Sequence, residues 1–542
     1  MASPFAAQLD TNYCPEDDEV LQIKSILVEP MLRLRRLDDE IAELQRAIDK
    51  LAEERDGLET FVAAHKALIS PVRRVPFDIL QEIFIACIPT HRNCVMSASE
   101  PPILLGRICS SWRAIALSTP HLWARLHIVE PPRGGHASFN AVVDEKVAQR
   151  LEIAKMWLGR SGQCPLSISF QSGPDEHNPF PTSPSHSLCG QFLQALIPFA
   201  PRWQHIRFAI PLSAFEAMIH LTQTDVPMLE TVAFHPQSHF FHESMKWKEL
   251  PILGSSRISG FSITADCFVF EKSLLRWHQL TDLAIEGPVW RSGLSIDMIL
   301  HTLASCPELR SCKLAVSGII SEIQHSLVEL QFLHTLELEF GNVALTATQL
   351  LDRLSLPGLL NFTLNGNRLP NGTPDAQLSL ASFLTLCTQL ESLKIDSNTF
   401  SKSSLLDSLR SLPSTLRRLT VHDNTHGLSK VISCLDDDVL AVLTLGCPSL
   451  ETLTINFCGR ISDVALLRFI TARMTGESGT TLKHVKMQVN RQMTLDILPS
   501  LKPFIESGLD VAIDYFGPLP TDFSPWKGLP DVPYPWSLNA NQ

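Results

Sequence analysis

Three clusters in this sequence carry residue types that could do chemistry. Cys87-x3-His91-x2-Cys94 has thiols and an imidazole at metal-like spacing, but a tetrahedral zinc site needs a fourth ligand and none is evident nearby. His235, His239 and His242 sit in an aromatic stretch, where surface histidines are the simpler reading. Asp436-Asp437-Asp438 could hold a cation, yet acidic residues also favour the first turn of a helix, and a helix start is expected there. No phosphate-binding glycine loop, nucleophile elbow or metalloprotease helix motif is present. The expectation is a binding protein, not an enzyme, with no catalytic residues, no metal and no cofactor.

The elements that could position a binding site begin with the stretch from Pro71 to Ile128. Val75-Pro76 precedes Phe77 and Asp78, and then Ile79, Leu80, Ile83 and Phe84 recur at the spacing of one helical face. Proline suits the first turn of that helix. A second amphipathic run places Leu104, Leu105, Ile108, Cys109, Trp112 and Ala116 on one stripe. Thr119-Pro120 interrupts it, and Leu122-Trp123 with the alternating Leu126 and Ile128 closes the unit.

In order and spacing these residues resemble an F-box, most closely the F-box-like modules abundant in mushroom-forming fungi. The resemblance implies a small all-α unit that docks on the Skp-type adaptor of a cullin ubiquitin ligase. It assigns adaptor binding to Val75, Pro76, Asp78, Ile79, Leu80, Ile83, Phe84, Leu105, Ile108, Cys109, Trp112, Leu122 and Trp123. The spacer from Pro89 to Pro102 is longer than in short F-boxes. Similar fungal proteins carry a long helix just before this module, ending in a passage like that from His65 to Arg74.

Here that helix is visible as a heptad seam. Leu34, Leu37, Ile41, Leu44, Ile48, Leu51, Arg55, Leu58 and Val62 recur at alternating steps of three and four. Such a helix could pair with a second copy as a coiled-coil homodimer, or fold back on the F-box or the later repeats. The chain before Pro30, acidic from Glu16 to Glu19, reads as a disordered lead-in.

Net charge is −12, which argues against general affinity for nucleic acid or anionic membrane while leaving room for a local basic patch. Thirteen cysteines without framework spacing read as thiols in a reducing compartment. The N-terminus has no secretory pattern, and no run is long and apolar enough for a membrane span, so the expected location is cytoplasmic or nuclear.

The C-terminal two thirds repeats an L-x-x-L-x-L unit. It runs from Trp203-Ile206-Phe208 to Leu482-Val485-Met487, with intervening units that start at Leu229, Ile258, Leu280, Leu309, Leu333, Leu359, Leu390, Leu416 and Leu450. The units lie about 28 residues apart on average, within the range of leucine-rich repeats. Cys447-Pro448-Ser449-Leu450 opens the clearest unit and resembles the cysteine-containing repeats that accompany many F-boxes, with echoes at Cys306 and Cys387. Each unit cannot bury its apolar side alone, and stacking supplies the core.

The fold class expected is therefore α/β: a leucine-rich-repeat solenoid with parallel strands on its concave face, preceded by a small all-α F-box and a long N-terminal heptad helix. The expected divisions are a lead-in (1–29), the heptad helix (30–70), the F-box (71–128), a connecting loop and helix (129–162), the solenoid (163–515) and a Pro-rich tail (516–542). Glu337, Glu339, Lys394, Arg417, Arg418, Thr452 and Thr454 alternate with apolar strand positions and are candidate contacts for a target protein. The expected role is the substrate-recognition subunit of a Skp–cullin–F-box ligase, and the alternative is a non-degradative interaction scaffold.

Overall fold

The computed structural model describes residues 3–131, 137–172, 188–235, 250–264, 274–287, 293–316, 327–340, 344–366, 378–423, 434–476 and 481–516. The chain divides into two compact units, Met1–Ile83 and Phe84–Gln542.

The first unit is dominated by α1 (Asp17–Leu68), a helix of 52 residues with no buried side chain. It starts well before Pro30, which lies inside it. The acidic run supplies the start: Asp17, Asp18 and Glu19 occupy the first turn, and the Glu19 carboxylate accepts the Glu16 backbone N–H at 2.9 Å. Those charges suit the positive end of the helix, as His65 and Lys66 suit the negative end. After a 3₁₀ turn at Pro71–Arg74, α2 (Phe77–Ala86) begins directly behind Pro76, whose carbonyl accepts the Leu80 N–H.

In the second unit the expected single helix after residue 104 is two, α3 (Leu105–Ile108) and α4 (Ser110–Ser118). Cys109 is extended between them, and its sulfur accepts the Trp112 N–H, which caps α4. The Arg113 guanidinium donates to the Gly106 carbonyl at 2.8 Å and satisfies the end of α3. Cys-x-x-Trp-Arg is thus a paired cap across a helix break. Leu122 and Trp123 lie in the following 3₁₀ turn, both buried, and the Trp123 indole N–H donates to the Ala116 carbonyl at 2.7 Å.

The chain continues through β1 (Arg125–Val129), α5 (Ala137–Arg160), β2 (Leu166–Gln171), α6 (Leu188–Leu196), β3 (Trp203–Ala209), β4 (Thr231–Phe234), β5 (Gly260–Thr264) and β6 (Asp282–Glu286). Then come α7 (Ile296–Ala304), β7 (Ser311–Val316), β8 (Val328–Glu329), β9 (Thr335–Phe340), α8 (Ala344–Leu351), β10 (Leu354–Ser355), β11 (Asn361–Gly366), α9 (Ala381–Leu386) and β12 (Ser392–Asp396). Last are α10 (Lys402–Arg410), β13 (Arg418–His422), α11 (Asp437–Gly446), β14 (Thr452–Cys458), α12 (Asp463–Thr475), β15 (His484–Val489), α13 (Leu498–Glu506) and β16 (Asp510–Tyr515).

Fourteen of these strands form one parallel sheet in chain order, and β8 pairs separately with β10. This is an α/β leucine-rich-repeat solenoid. The repeat's apolar positions align across it: Leu336 faces Phe362, Phe362 faces Leu393, and Leu393 faces Leu419, all of them buried. Parallel strands require a crossover, supplied here by helices or 3₁₀ turns on the other layer. Serine or aspartate caps several of these helices, including Ser295, Ser401, Asp436 and Ser462. Cys306, Cys387 and Cys447 repeat one device, each buried behind a helix with its carbonyl accepting the N–H of the leucine three residues on.

The sheet is longer than the repeat pattern suggested. Leu126 and Ile128, expected to close the helical unit, are the inward residues of its first strand. At the other end β16 pairs with β15 although its Val511 and Ile513 lack the leucine signature. The described cysteines are free thiols, seven of them buried. Among the described residues no helix is long and apolar enough to cross a membrane. All but the first residue of the Pro-rich tail lies outside the described residues, as do His239 and His242.

Candidate binding surfaces

The solvent-facing residues of the sheet form straight rows because the register is unbroken over most of its width. One row runs Arg207, Ala233, Ser262, Ala284, Lys313, Glu337, Thr363, Lys394, Thr420, Thr454 and Lys486. Glu337, Lys394 and Thr454, expected as target contacts, stand in it. Arg418 and Thr452 are partners in the row on one side, and Glu339 lies on the other, opposite Asn365. Arg417 falls just before β13, and its guanidinium turns to Glu451 at 3.6 Å, where Lys483 also binds at 2.8 Å.

Charge along this face is zoned. Arg125, His127, His205 and Arg207 lie on the first strands; His127 shares a hydrogen bond with Ser169 and His205 one with Thr231. Burial lowers the pKa of both imidazoles, so they stay neutral further into the acid range. The small residues Ala233, Ser262 and Ala284 follow. Next is an acidic patch in which Lys313 lies 3.5 Å from Glu286 and 3.4 Å from Glu337. Burial works to lower the pKa of Lys313, and the two carboxylates outweigh it. Glu339 is shifted upward, first by burial and then by Glu337 and Glu286, with Lys313 opposing. Lys394, Arg418 and Lys486 give β12 to β15 a positive character, and the exposed Asp510 and Asp514 on β16 end it. The sequence reading missed Lys313, His205 and Arg207, although their strands were recognised as repeats, and missed Arg125 and His127 because β1 was assigned to the helical unit. The alternation of Leu126 and Ile128 was the signal available.

The residues assigned to adaptor binding divide by exposure. On α2, Leu80 and Phe84 are buried, whereas Ile79 is 47 % and Ile83 45 % exposed. Val75 is half-buried, and Pro76 and Asp78 are exposed. In the second unit Leu105, Leu122 and Trp123 are buried, Trp112 is half-buried against Phe84 with ring centroids 4.9 Å apart, and Ile108 and Cys109 are exposed. The long spacer is held on the sheet: the Arg125 guanidinium donates to the carbonyls of Pro89 and Arg92, and Asn93 bonds Ser167 and Ser169. Cys94 is buried there and its carbonyl accepts the His127 N–H, while Cys87 and His91 are exposed. Among the described residues no group of three or more His, Cys, Asp or Glu is placed to hold a metal ion. Asp436 caps α11 with its carboxylate and pairs with Lys402, so the aspartate run is a helix start.

No family model matches this chain, and no curated protein does. Among solved structures it is similar to one described as the crystal structure of the Rad7 and Elc1 complex in yeast, at 13 % identity over 83 % of this chain and 97 % of that one, with a TM-score of 0.35. It is also similar to a protein from Bacteroides fragilis, at 11 % identity over 71 % of this chain and 73 % of that one, with a TM-score of 0.23. Likenesses at these scores carry no argument about function.

Proposed function

We propose that this chain is the substrate-recognition subunit of a Skp–cullin–F-box type ubiquitin ligase. The stretch from Val75 to Trp123 binds the Skp-type adaptor, and the solvent-facing rows of the sheet bind a target protein. Its contribution to ubiquitin transfer is positional, raising the concentration of the target at the ligase. The observation that carries the reading is the division of α2. Ile79 and Ile83, one turn apart, are exposed, while their neighbours Leu80 and Phe84 are buried. A helix with apolar residues on both sides has one side left for a partner, and these are positions at which the sequence resembles an F-box.

Purified full-length chain and Skp-type adaptor should form a complex measurable by titration calorimetry. Ile79→Glu with Ile83→Glu should weaken it about a hundredfold or more, since each buried aliphatic side chain contributes about 1.5–3 kcal/mol. Both positions are exposed, so the melting temperature should hold. A folded wild-type chain that does not bind, or a double variant that binds equally well, would overturn the proposal.

A further inference from the structure

We infer that α1 joins two copies of this chain as a parallel, in-register coiled coil. The seam residues of α1 at the second apolar heptad position, Leu37, Leu44, Leu51 and Leu58, are all leucine, and the first position holds Leu34, then β-branched Ile41, Ile48 and Val62, with Arg55 between the last two. β-Branched residues at the first position with leucine at the second favour a two-stranded parallel pair. These seam side chains are 46–65 % exposed, and none of the described residues of the first unit buries them. Eight aliphatic side chains on one stripe of a single charged helix leave it without a core of its own.

Of the pairs that flank the stripe in a parallel dimer, one attracts, one repels, and Glu40–Gln45 and Ala47–Ala52 are indifferent. In a parallel pair the residue before the first seam position faces, on the other helix, the residue five further along. Arg33 therefore meets Asp38 of the second copy. The same rule sets Glu54 against Glu59, a like-charge pair, at the one heptad whose first position is Arg55. The two arginines of a parallel pair then lie among four carboxylates, and the two departures from an ideal zipper compensate each other. Among the described residues Arg55 bonds only its neighbour Asp56, with both side chains more than half exposed. An antiparallel pair that sets Ile48 against Leu51 would bring Arg55 to Leu44 instead. A polar residue at one seam position fixes register and orientation at some cost in stability.

The inference is independent of adaptor binding, and the test uses the full chain alone. Light scattering after size exclusion should give twice the 60.3 kDa of the single chain. Ile41→Glu with Ile48→Glu should return the single-chain mass with the solenoid's melting transition unchanged. Ile41→Cys should form a reducible covalent dimer under mild oxidation that the parent chain does not form, because only parallel in-register helices bring position 41 beside itself. Arg55→Glu should weaken the dimer about tenfold or more, by adding like charge to four carboxylates. A single-chain mass at micromolar concentration would overturn the inference, as would a dimer that survives the double glutamate variant or an Ile41→Cys chain that does not cross-link; an unchanged Arg55→Glu dimer would overturn the role given to Arg55.

Discussion

Replacing Asp463 with asparagine should loosen the last two strands of the solenoid, β15 and β16, while leaving the rest of the sheet intact. Asp463 opens α12 and is 1 % exposed. Its carboxylate accepts the Arg491 guanidinium at 2.5 and 3.2 Å, the backbone N–H groups of Thr494 and Leu495 at 2.9 Å each, the Thr494 hydroxyl at 2.6 Å and the Tyr515 hydroxyl at 2.9 Å. The network ties α12 to the segment after β15 and to the end of β16. Asparagine keeps the shape, but it removes the charge opposite Arg491 and replaces one acceptor oxygen with a donor. Breaking a buried ion pair in this way costs about 3–5 kcal/mol. In a solenoid each repeat is coupled mainly to its neighbours, so the loss should stay local.

Hydrogen exchange read by mass spectrometry would show it as lost protection in residues 484–515 with β3 to β9 unchanged. The effect should also depend on pH. Burial works to raise the Asp463 pKa, and the bonds from Arg491, Thr494 and Leu495 outweigh it and hold the carboxyl well below the usual range. A depressed carboxyl pKa contributes stability above its unfolded value of about 3.9 and loses it as pH falls toward the folded one. Wild type and Asp463→Asn should therefore differ most near neutrality and converge in strong acid. A variant with wild-type exchange in residues 484–515 at neutral pH would refute the reasoning.

Asp396 should behave in the opposite sense. Burial first, and then the neighbouring Asp423, push its carboxyl up to about 6 against the bonds from Asn398. The folded chain then binds the proton more tightly than the unfolded one, so stability falls as pH rises from about 4 through 6. Asp396→Asn, which keeps an acceptor for the Asn398 N–H 3.1 Å away, should be more stable than wild type by up to about 3 kcal/mol at pH 8 and equal to it near pH 4, as chemical denaturation at the two pH values would show. Phe362, 1 % exposed and 5.1 Å from the Phe383 ring, should cost about 3–5 kcal/mol when truncated to alanine, measured by the same method. Trp123→Phe removes the indole bond to the Ala116 carbonyl, leaving that acceptor unmatched, and should lower stability by about 1–3 kcal/mol.

The repeat was legible because stacking demands the same apolar spacing in every unit, and Leu-x-x-Leu-x-Leu survives even where loop lengths vary. The long helix was legible for a similar reason, although its start was not: Pro30 looked like a boundary, while the Glu16–Glu19 cap that begins the helix carries no apolar signal. What periodicity cannot carry is phase at a strand's first residue. Arg417 and Arg418 are adjacent and chemically alike, yet Arg418 begins β13 on the solvent-facing row and Arg417 turns aside to Glu451, a partner on the next repeat. Likewise the Asp463 network joins residues as far apart as Tyr515, and no local pattern marks any of them as partners. A residue's type and spacing decide which layer of a solenoid it enters. Its function depends on what the neighbouring turn puts beside it, so the sheet face must be read across strands, where Lys313, Glu337 and Lys394 belong to one surface although their repeats share no motif.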